Sequence, residues 1–191
     1  MKFVSRTGPS LKNMLSNVKC ISTGPKYGIS EPCGTIRCKT CPLMSGDSYI
    51  RGTKNQKKYK TAAGCCKTQN CVYSGICKLC DKPYVGKSIQ QENKRINGHR
   101  DSLKKYAKNP NILNSVTNLS EKDKYSLATH LNEVHNIVSQ TGLDDHYKFT
   151  ILEKCTPRSI DLKEHLWIQK LNSLAPFGLN LNSPLGFPLL L

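Results

Sequence analysis

Apolar and polar positions first fall into a regular pattern at Cys71. Cys71-Val-Tyr-Ser-Gly-Ile-Cys77 and Lys82-Pro-Tyr-Val-Gly-Lys87 are short runs containing valine, isoleucine and tyrosine, residues that suit a pleated, half-buried surface. The Lys78-Leu-Cys-Asp81 connection is short enough to make them a hairpin. Ser88-Ile-Gln-Gln91 has the spacing of a capping box and predicts a helix to about Ala107. Asn109 to Asp123 is polar and turn-rich, and is expected to be a loop. A second helix is expected from Tyr125 to about Asn136, and a third strand from Tyr147 to Glu153. A final helix is expected from Ser159 to about Leu174, introduced by Pro157 and an N-cap serine. This order predicts an α+β fold, a small three-stranded antiparallel sheet flanked by helices. No internal repeat is visible. Upstream, Leu11 to Val18 is a short helix candidate.

Residues 31–69 lack clear periodicity but gather Cys33, Cys38, Cys41, Cys65 and Cys66. Such a segment reads as a loop-rich knuckle closed by metal. The expected organisation is a basic arm over 1–30, the knuckle over 31–69, the regular domain over 70–182 and a tail over 183–191.

The composition sharpens this picture. The chain has 191 residues, 37% of them apolar, which points to a small core in need of staples. Its net charge is +16, and the surplus is uneven. Residues 1–70 hold thirteen Lys and Arg against two acidic residues, Glu31 and Asp47. A basic arm of this kind suits a polyanion, nucleic acid above all. No run approaches the ~20 apolar residues of a membrane span, and Met1 to Cys20 has no sustained apolar run of the signal-peptide kind. Ten cysteines without that signal favour intracellular metal sites over a secreted disulfide scaffold.

Several residues stand out chemically. In the final helix Ile160, Glu164, Trp167, Ile168 and Leu171 share a stripe, so one carboxylate interrupts an apolar face. Burial there needs a cation or an ion-pair partner, unless Glu164 sits at the stripe's margin and reaches solvent. Arg95 and His99 lie at i and i+4, on one helix face; with Lys94 and Arg100 beside them, that face could equally be an exposed basic one. Tyr73 and Tyr84 sit mid-strand, and Gly86 comes just before the helix, where a side chain would crowd a ligand.

Taken jointly, these features resemble a known family. Cys71-Val-Tyr73 and Tyr84-Val-Gly86 look like the two tyrosine motifs of GIY-YIG nucleases, with Cys71 where the motif has glycine. Arg95-Ile-Asn-Gly-His99 is similar to that family's Arg-x-x-x-His, Glu164 to its metal-binding glutamate, and Asn180 to its later asparagine. The resemblance covers roughly residues 70–182. Pro32-Cys-Gly-Thr-Ile-Arg-Cys-Lys-Thr-Cys-Pro42, the cysteines between the tyrosine motifs, Trp167-Ile168 and Leu174-Ala-Pro-Phe-Gly-Leu-Asn180 resemble the Penelope-like retroelement subgroup. Arg6-Thr-Gly-Pro-Ser-Leu-Lys12 looks like the segment joining a reverse transcriptase to that nuclease.

The resemblance implies a GIY-YIG fold and hydrolysis of DNA phosphodiesters with one divalent cation, Mg²⁺ or Mn²⁺, held by Glu164. It implies that Arg95 stabilises charge on the phosphate and that Tyr73 deprotonates or orients the attacking water. An ordinary tyrosine, with a pKa near ~10, is a poor base at neutral pH, so Arg95, Lys87 or the metal would have to favour its phenolate. Tyr84 and His99 would position the phosphate or relay protons, and Asn180 would line the site. The expected partners are DNA and a reverse transcriptase domain or retroelement RNA, with the nucleus as location.

Two zinc sites are expected. Cys77-x2-Cys80 lies at the hairpin turn, and His130-x4-His135 has zinc-finger spacing on the second helix. Penelope-like nucleases are described by a feature of this composition. His99 could replace one of these histidines. Cys33, Cys38 and Cys41 supply three further thiolates; the fourth could come from Cys65, Cys66 or Cys71, with Cys66 preferred. Cys20 and Cys155 are expected to be single thiols. The competing reading is a non-catalytic, zinc-stapled nucleic-acid-binding module, and behind it a disulfide-rich structural protein.

Overall fold

The computed structural model describes residues 27–185. The helix candidate Leu11–Val18, Cys20, the segment Arg6–Lys12 and the end of the tail lie outside the described residues. The elements are β1 (Ser30–Glu31), β2 (Tyr49–Arg51), β3 (Lys58–Lys60), β4 (Gly64–Cys65), β5 (Cys71–Cys77) and β6 (Pro83–Ser88), then α1 (Glu92–Lys108), α2 (Leu119–Asp123), α3 (Ser126–His135) and α4 (Gly142–His146), and finally β7 (Tyr147–Lys154) and α5 (Ile160–Leu171). Together they make an α+β fold. Among the described residues, no helix is long and apolar enough to cross a membrane.

The main sheet is antiparallel, in the order β6-β5-β7. Successive side chains of a strand point to opposite faces, and here both faces are covered. Tyr73, Cys77, Tyr84, Tyr147 and Phe149 pack with Ile96, Leu103, Leu127 and Leu131 of α1 and α3. Val72, Val85 and Leu152 pack with Ile160, Trp167, Ile168 and Leu171 of α5 and with Ile50 of β2. Double coverage explains why β5 reads as a nearly continuous buried run and not as a simple alternation.

Helix boundaries differ from the sequence reading for local reasons. Ser88 ends β6, and its hydroxyl donates to the Gln90 carbonyl, so no capping box forms. The Glu92 and Asn93 N–H groups at the start of α1 instead donate to the Thr68 and Cys66 carbonyls at 2.9 and 2.7 Å. Helix α5 ends at Leu171, three residues short of expectation, because Asn172 turns left-handed (φ 51°). Ser159 occupies the N-cap position without a side-chain cap; its Oγ accepts the Thr156 N–H. The expected loop 109–123 contains a 3₁₀ turn, Pro110–Ser115, and the short helix α2. Asn118 caps α2 through its side chain, a local bond that no hydrophobic pattern announces.

The cysteine-rich segment is not wholly irregular. It carries the parallel pair β1-β4 and the antiparallel pair β2-β3. It also lies against the outer edge of β7: Ser45 N donates to Phe149 O at 2.7 Å and Ala62 N to Ile151 O at 2.9 Å. Backbone groups left open at a sheet edge are thereby satisfied.

Candidate functional site

A cleft of about 540 Å³ opens beside the β6 edge of the sheet. Tyr84 and Lys87 come from β6, Arg95 from α1, Asp123 from α2 and Glu164 from α5, with Asn180 and Ser183 from the C-terminal segment. Five segments distant in sequence thus bring acids, cations and a phenol to one hollow.

Tyr73 and His99 lie behind this cleft. The Tyr73 ring is 0% exposed and does not line the hollow. Its oxygen is 2.6 Å from His99 Nε2 and accepts from Arg95 Nε at 3.0 Å. Burial holds His99 neutral, lowering its pKa to about 3. Burial also pushes the Tyr73 phenol above its ordinary range, outweighing the opposing pull of Arg95. Burial thus favours the protonated phenol, which shares the short contact with His99 Nε2. For the expected phenolate, desolvation opposes what the neighbouring guanidinium favours. His99 is committed to Tyr73 and is not a metal ligand with His130 and His135. Gly86 has a different purpose from the expected ligand approach. A Cβ there would lie 2.6 Å from the Tyr73 oxygen and 3.0 Å from Tyr84 Cε1, so its missing side chain makes room for the two rings.

Tyr84, 2% exposed, reaches the cleft edge. Its hydroxyl donates to Asp123 Oδ2 at 3.1 Å, and Asp123 Oδ1 accepts the Leu181 N–H at 2.7 Å. Burial raises the Asp123 carboxyl above its ordinary range against these bonds and the Arg95 charge. Asp123 was missed in the sequence because a lone acid in a polar stretch carries no periodic signal.

Glu164 leaves the apolar stripe of α5 to face the cleft, its side chain 12% exposed. Its Oε2 lies 3.0 Å from Lys87 Nζ, which also contacts Asp161. Burial raises its pKa, partly offset by Lys87. Asn180 lines the cleft, but its polar atoms are engaged in structure. Its Oδ1 accepts from Val85 N (2.8 Å) and Ser173 Oγ (2.8 Å), and its Nδ2 donates to Val85 O (2.7 Å). The amide thus pairs with the open edge of β6 as a neighbouring strand would. Cys71 pairs with Ser88 and Lys154, and the register against β7 shifts one step further on, between Val72 and Tyr73; Cys71 is buried, and its Sγ faces Glu92 Oε2 at 3.6 Å.

The expected metal ligands converge as two groups, Cys33, Cys38, Cys41, Cys66 and Cys77, Cys80, His130, His135. Within each group the ligand atoms all lie within 4.8 Å of one another. In the first, Sγ to Sγ separations are 3.4 Å for Cys38–Cys66 and Cys33–Cys41, and 3.7 Å for Cys41–Cys66. A tetrahedron with zinc–sulfur bonds of ~2.3 Å has edges of roughly 3.8 Å, close to these values and far beyond a disulfide. Cys66, and not Cys65 or Cys71, completes the set. In the second group Cys77 Sγ is 3.6 Å from His135 Nε2, and Cys80 Sγ is 3.2 Å from His130 Nε2. Both groups could hold a metal such as zinc. Cys155 stands apart, its Sγ directed at the Glu153 carbonyl.

No protein-family model, curated protein or solved structure matches the chain.

Proposed function

We propose that the chain is a metal-dependent DNA endonuclease of GIY-YIG type, akin to the Penelope-like retroelement nucleases, with two structural zinc sites. One observation carries the reading: Tyr84, Arg95 and Glu164, picked out by motif from separate elements, line a single cleft. Tyr73 and His99 stand directly behind Arg95.

Glu164 offers a hard carboxylate oxygen to Mg²⁺ or Mn²⁺, whose ordinary coordination combines one or two carboxylates with water and phosphate oxygens. Glu164 would hold the cation, which when bound would supply Lewis-acid stabilisation to the departing 3′ oxygen. Arg95, held by the Tyr73 oxygen, presents its guanidinium to the charge that builds on the phosphate. Lys87 neutralises Glu164 before the substrate arrives and can then contact a phosphate oxygen. The zinc sites clamp a polar segment with little core of its own, one against α1 and one between the hairpin turn and α3. The basic surface holds the DNA backbone with strong salt dependence. Association with a reverse transcriptase domain or element RNA, and action in the nucleus, belong to the same reading.

The test is nicking of supercoiled plasmid in Mg²⁺ or Mn²⁺ by the wild type beside Glu164→Gln. Nicking confined to the wild type is expected; equal nicking by both removes the assignment. The Lys87–Glu164 ion pair gives a specific reason to keep a second reading. A carboxylate so paired needs no metal, and the chain would then be a zinc-stapled nucleic-acid-binding module that retains DNA without cutting it.

A further inference from the structure

We infer that Asp123 is the proton acceptor behind Tyr84: attacking water passes a proton to the Tyr84 oxygen as Tyr84 passes its own to the Asp123 carboxylate. The inference rests on the nuclease reading and identifies the base that reading requires.

The two phenols differ in what they face. Tyr73 does not line the cleft, and its oxygen is engaged by His99 and Arg95. Tyr84 does line it, and its hydrogen is committed to Asp123 Oδ2, a carboxylate on the wall of the same cleft. With that hydrogen committed, the Tyr84 oxygen has only lone pairs to offer, to Arg95 and to water in the cleft. It can accept a hydrogen from water, but it cannot donate one to a phosphate oxygen. The Leu181 N–H fixes the rotation of the carboxylate from its other side, so the direction of the relay is built into the fold.

A phenolate at Tyr84 is not an alternative, since burial pushes that phenol well above its ordinary range. The relay avoids it, because Tyr84 is neutral before and after the transfer. Burial of Asp123 makes it a stronger acceptor than an exposed aspartate. In the balanced step, the water oxygen bonds to phosphorus as the bond to the 3′ oxygen breaks. The 3′ oxygen leaves as an alkoxide and takes a proton from solvent. Asp123 ends as the neutral acid and returns its proton to solvent. Asp123 acts only through Tyr84, so it is a positioning residue for the water.

Asp123→Asn separates this role from a structural one. The asparagine Oδ1 can still accept the Leu181 N–H, while its NH₂ would face the Tyr84 oxygen and reverse the polarity of that bond. The full-length zinc-loaded protein is assayed on supercoiled plasmid in Mg²⁺, under single turnover, as wild type, Asp123→Asn, Tyr84→Phe and the double variant. Asp123→Asn is expected to slow cutting about 100-fold, within the range of general-base contributions. The DNA concentration giving half-maximal rate should stay within about twofold, and the double variant should be no slower than Tyr84→Phe. Tyr84→Phe leaves the Asp123–Leu181 bond untouched, so its own slowing cannot be assigned to loss of that tether. Cutting by Asp123→Asn at nearly the wild-type rate overturns the relay, as does a further large slowing in the double variant. If Glu164→Gln fails while Asp123→Asn cuts normally, only the relay falls. If the wild type does not cut, the nuclease reading falls and the relay with it.

Discussion

Lys87 Nζ stands 3.0 Å from Glu164 Oε2, bridging β6 and α5 across the wall of the cleft. A divalent cation bound by Glu164 would have to share that oxygen with an ammonium group. Replacing Lys87 by Met removes both the competitor and a like charge. The Mn²⁺ concentration needed for half-maximal nicking is therefore expected to fall several-fold, while the maximal rate drops through loss of a phosphate contact. Metal titration of nicking measures both. An unchanged or higher Mn²⁺ requirement would place the cation away from Glu164.

Arg95 and Glu164 line the cleft, and neither belongs to the apolar core clusters. Arg95→Ala is expected to lower the nicking rate by at least about 100-fold while leaving the circular dichroism spectrum and the metal content intact. Retained cutting would remove Arg95 from the phosphate-binding role.

Gly86→Ala tests how closely the two tyrosines are packed. The new methyl would meet the Tyr73 oxygen at 2.6 Å and its Cζ at 2.7 Å, forcing the ring away from His99. Overpacking of this kind costs about 1–3 kcal/mol, read as a lower denaturant midpoint with an unchanged slope. A stability equal to that of wild type would mean that the Tyr73 ring has room to move.

The metal groups predict a stoichiometry. Elemental analysis of the purified chain should find two zinc ions per molecule, and Cys66→Ser or His130→Ala about one each. Chelation should cost cooperative unfolding as well as metal, since thiolate and imidazole ligands gathered from distant segments clamp the fold only while the ion is present. Fewer than one zinc per chain would defeat both sites.

Glu92 gives stability a pH dependence with a definite sign. The side chain is fully buried at the start of α1, its Oε2 faces Cys71, and its Oε1 has no hydrogen-bond partner. Burial raises its pKa from 4.5 to about 8. Between these values the folded chain holds a proton that the unfolded chain releases, so this group's contribution to stability declines as pH rises from about 4.5 to 8. Glu92→Gln cannot ionise. It should stabilise the protein at pH 8, by an amount on the order of a few kcal/mol, and hardly at all near pH 4.5. Parallel melting curves for the two proteins across this range would contradict the assignment.

Much of this was open to a reader of the sequence, and the reason is locality. Strand Cys71–Cys77 announces itself through residues adjacent along the chain, whereas α1 is expected from a capping box at Ser88–Gln91 that does not form. Ligand pairs such as Cys38–Cys41 and Cys77–Cys80 show themselves because their members sit a few residues apart. Tertiary packing decided what depends on distant segments meeting. It chose Cys66 over Cys65 and Cys71, set the Cys77–Cys80 turn against the two histidines of α3, and brought Asp123 to Tyr84 and Lys87 to Glu164. It also buried Tyr73 and so pushed its phenol above the ordinary range, since a proton's affinity depends on how much water the fold removes, and neighbours along the chain carry no record of that.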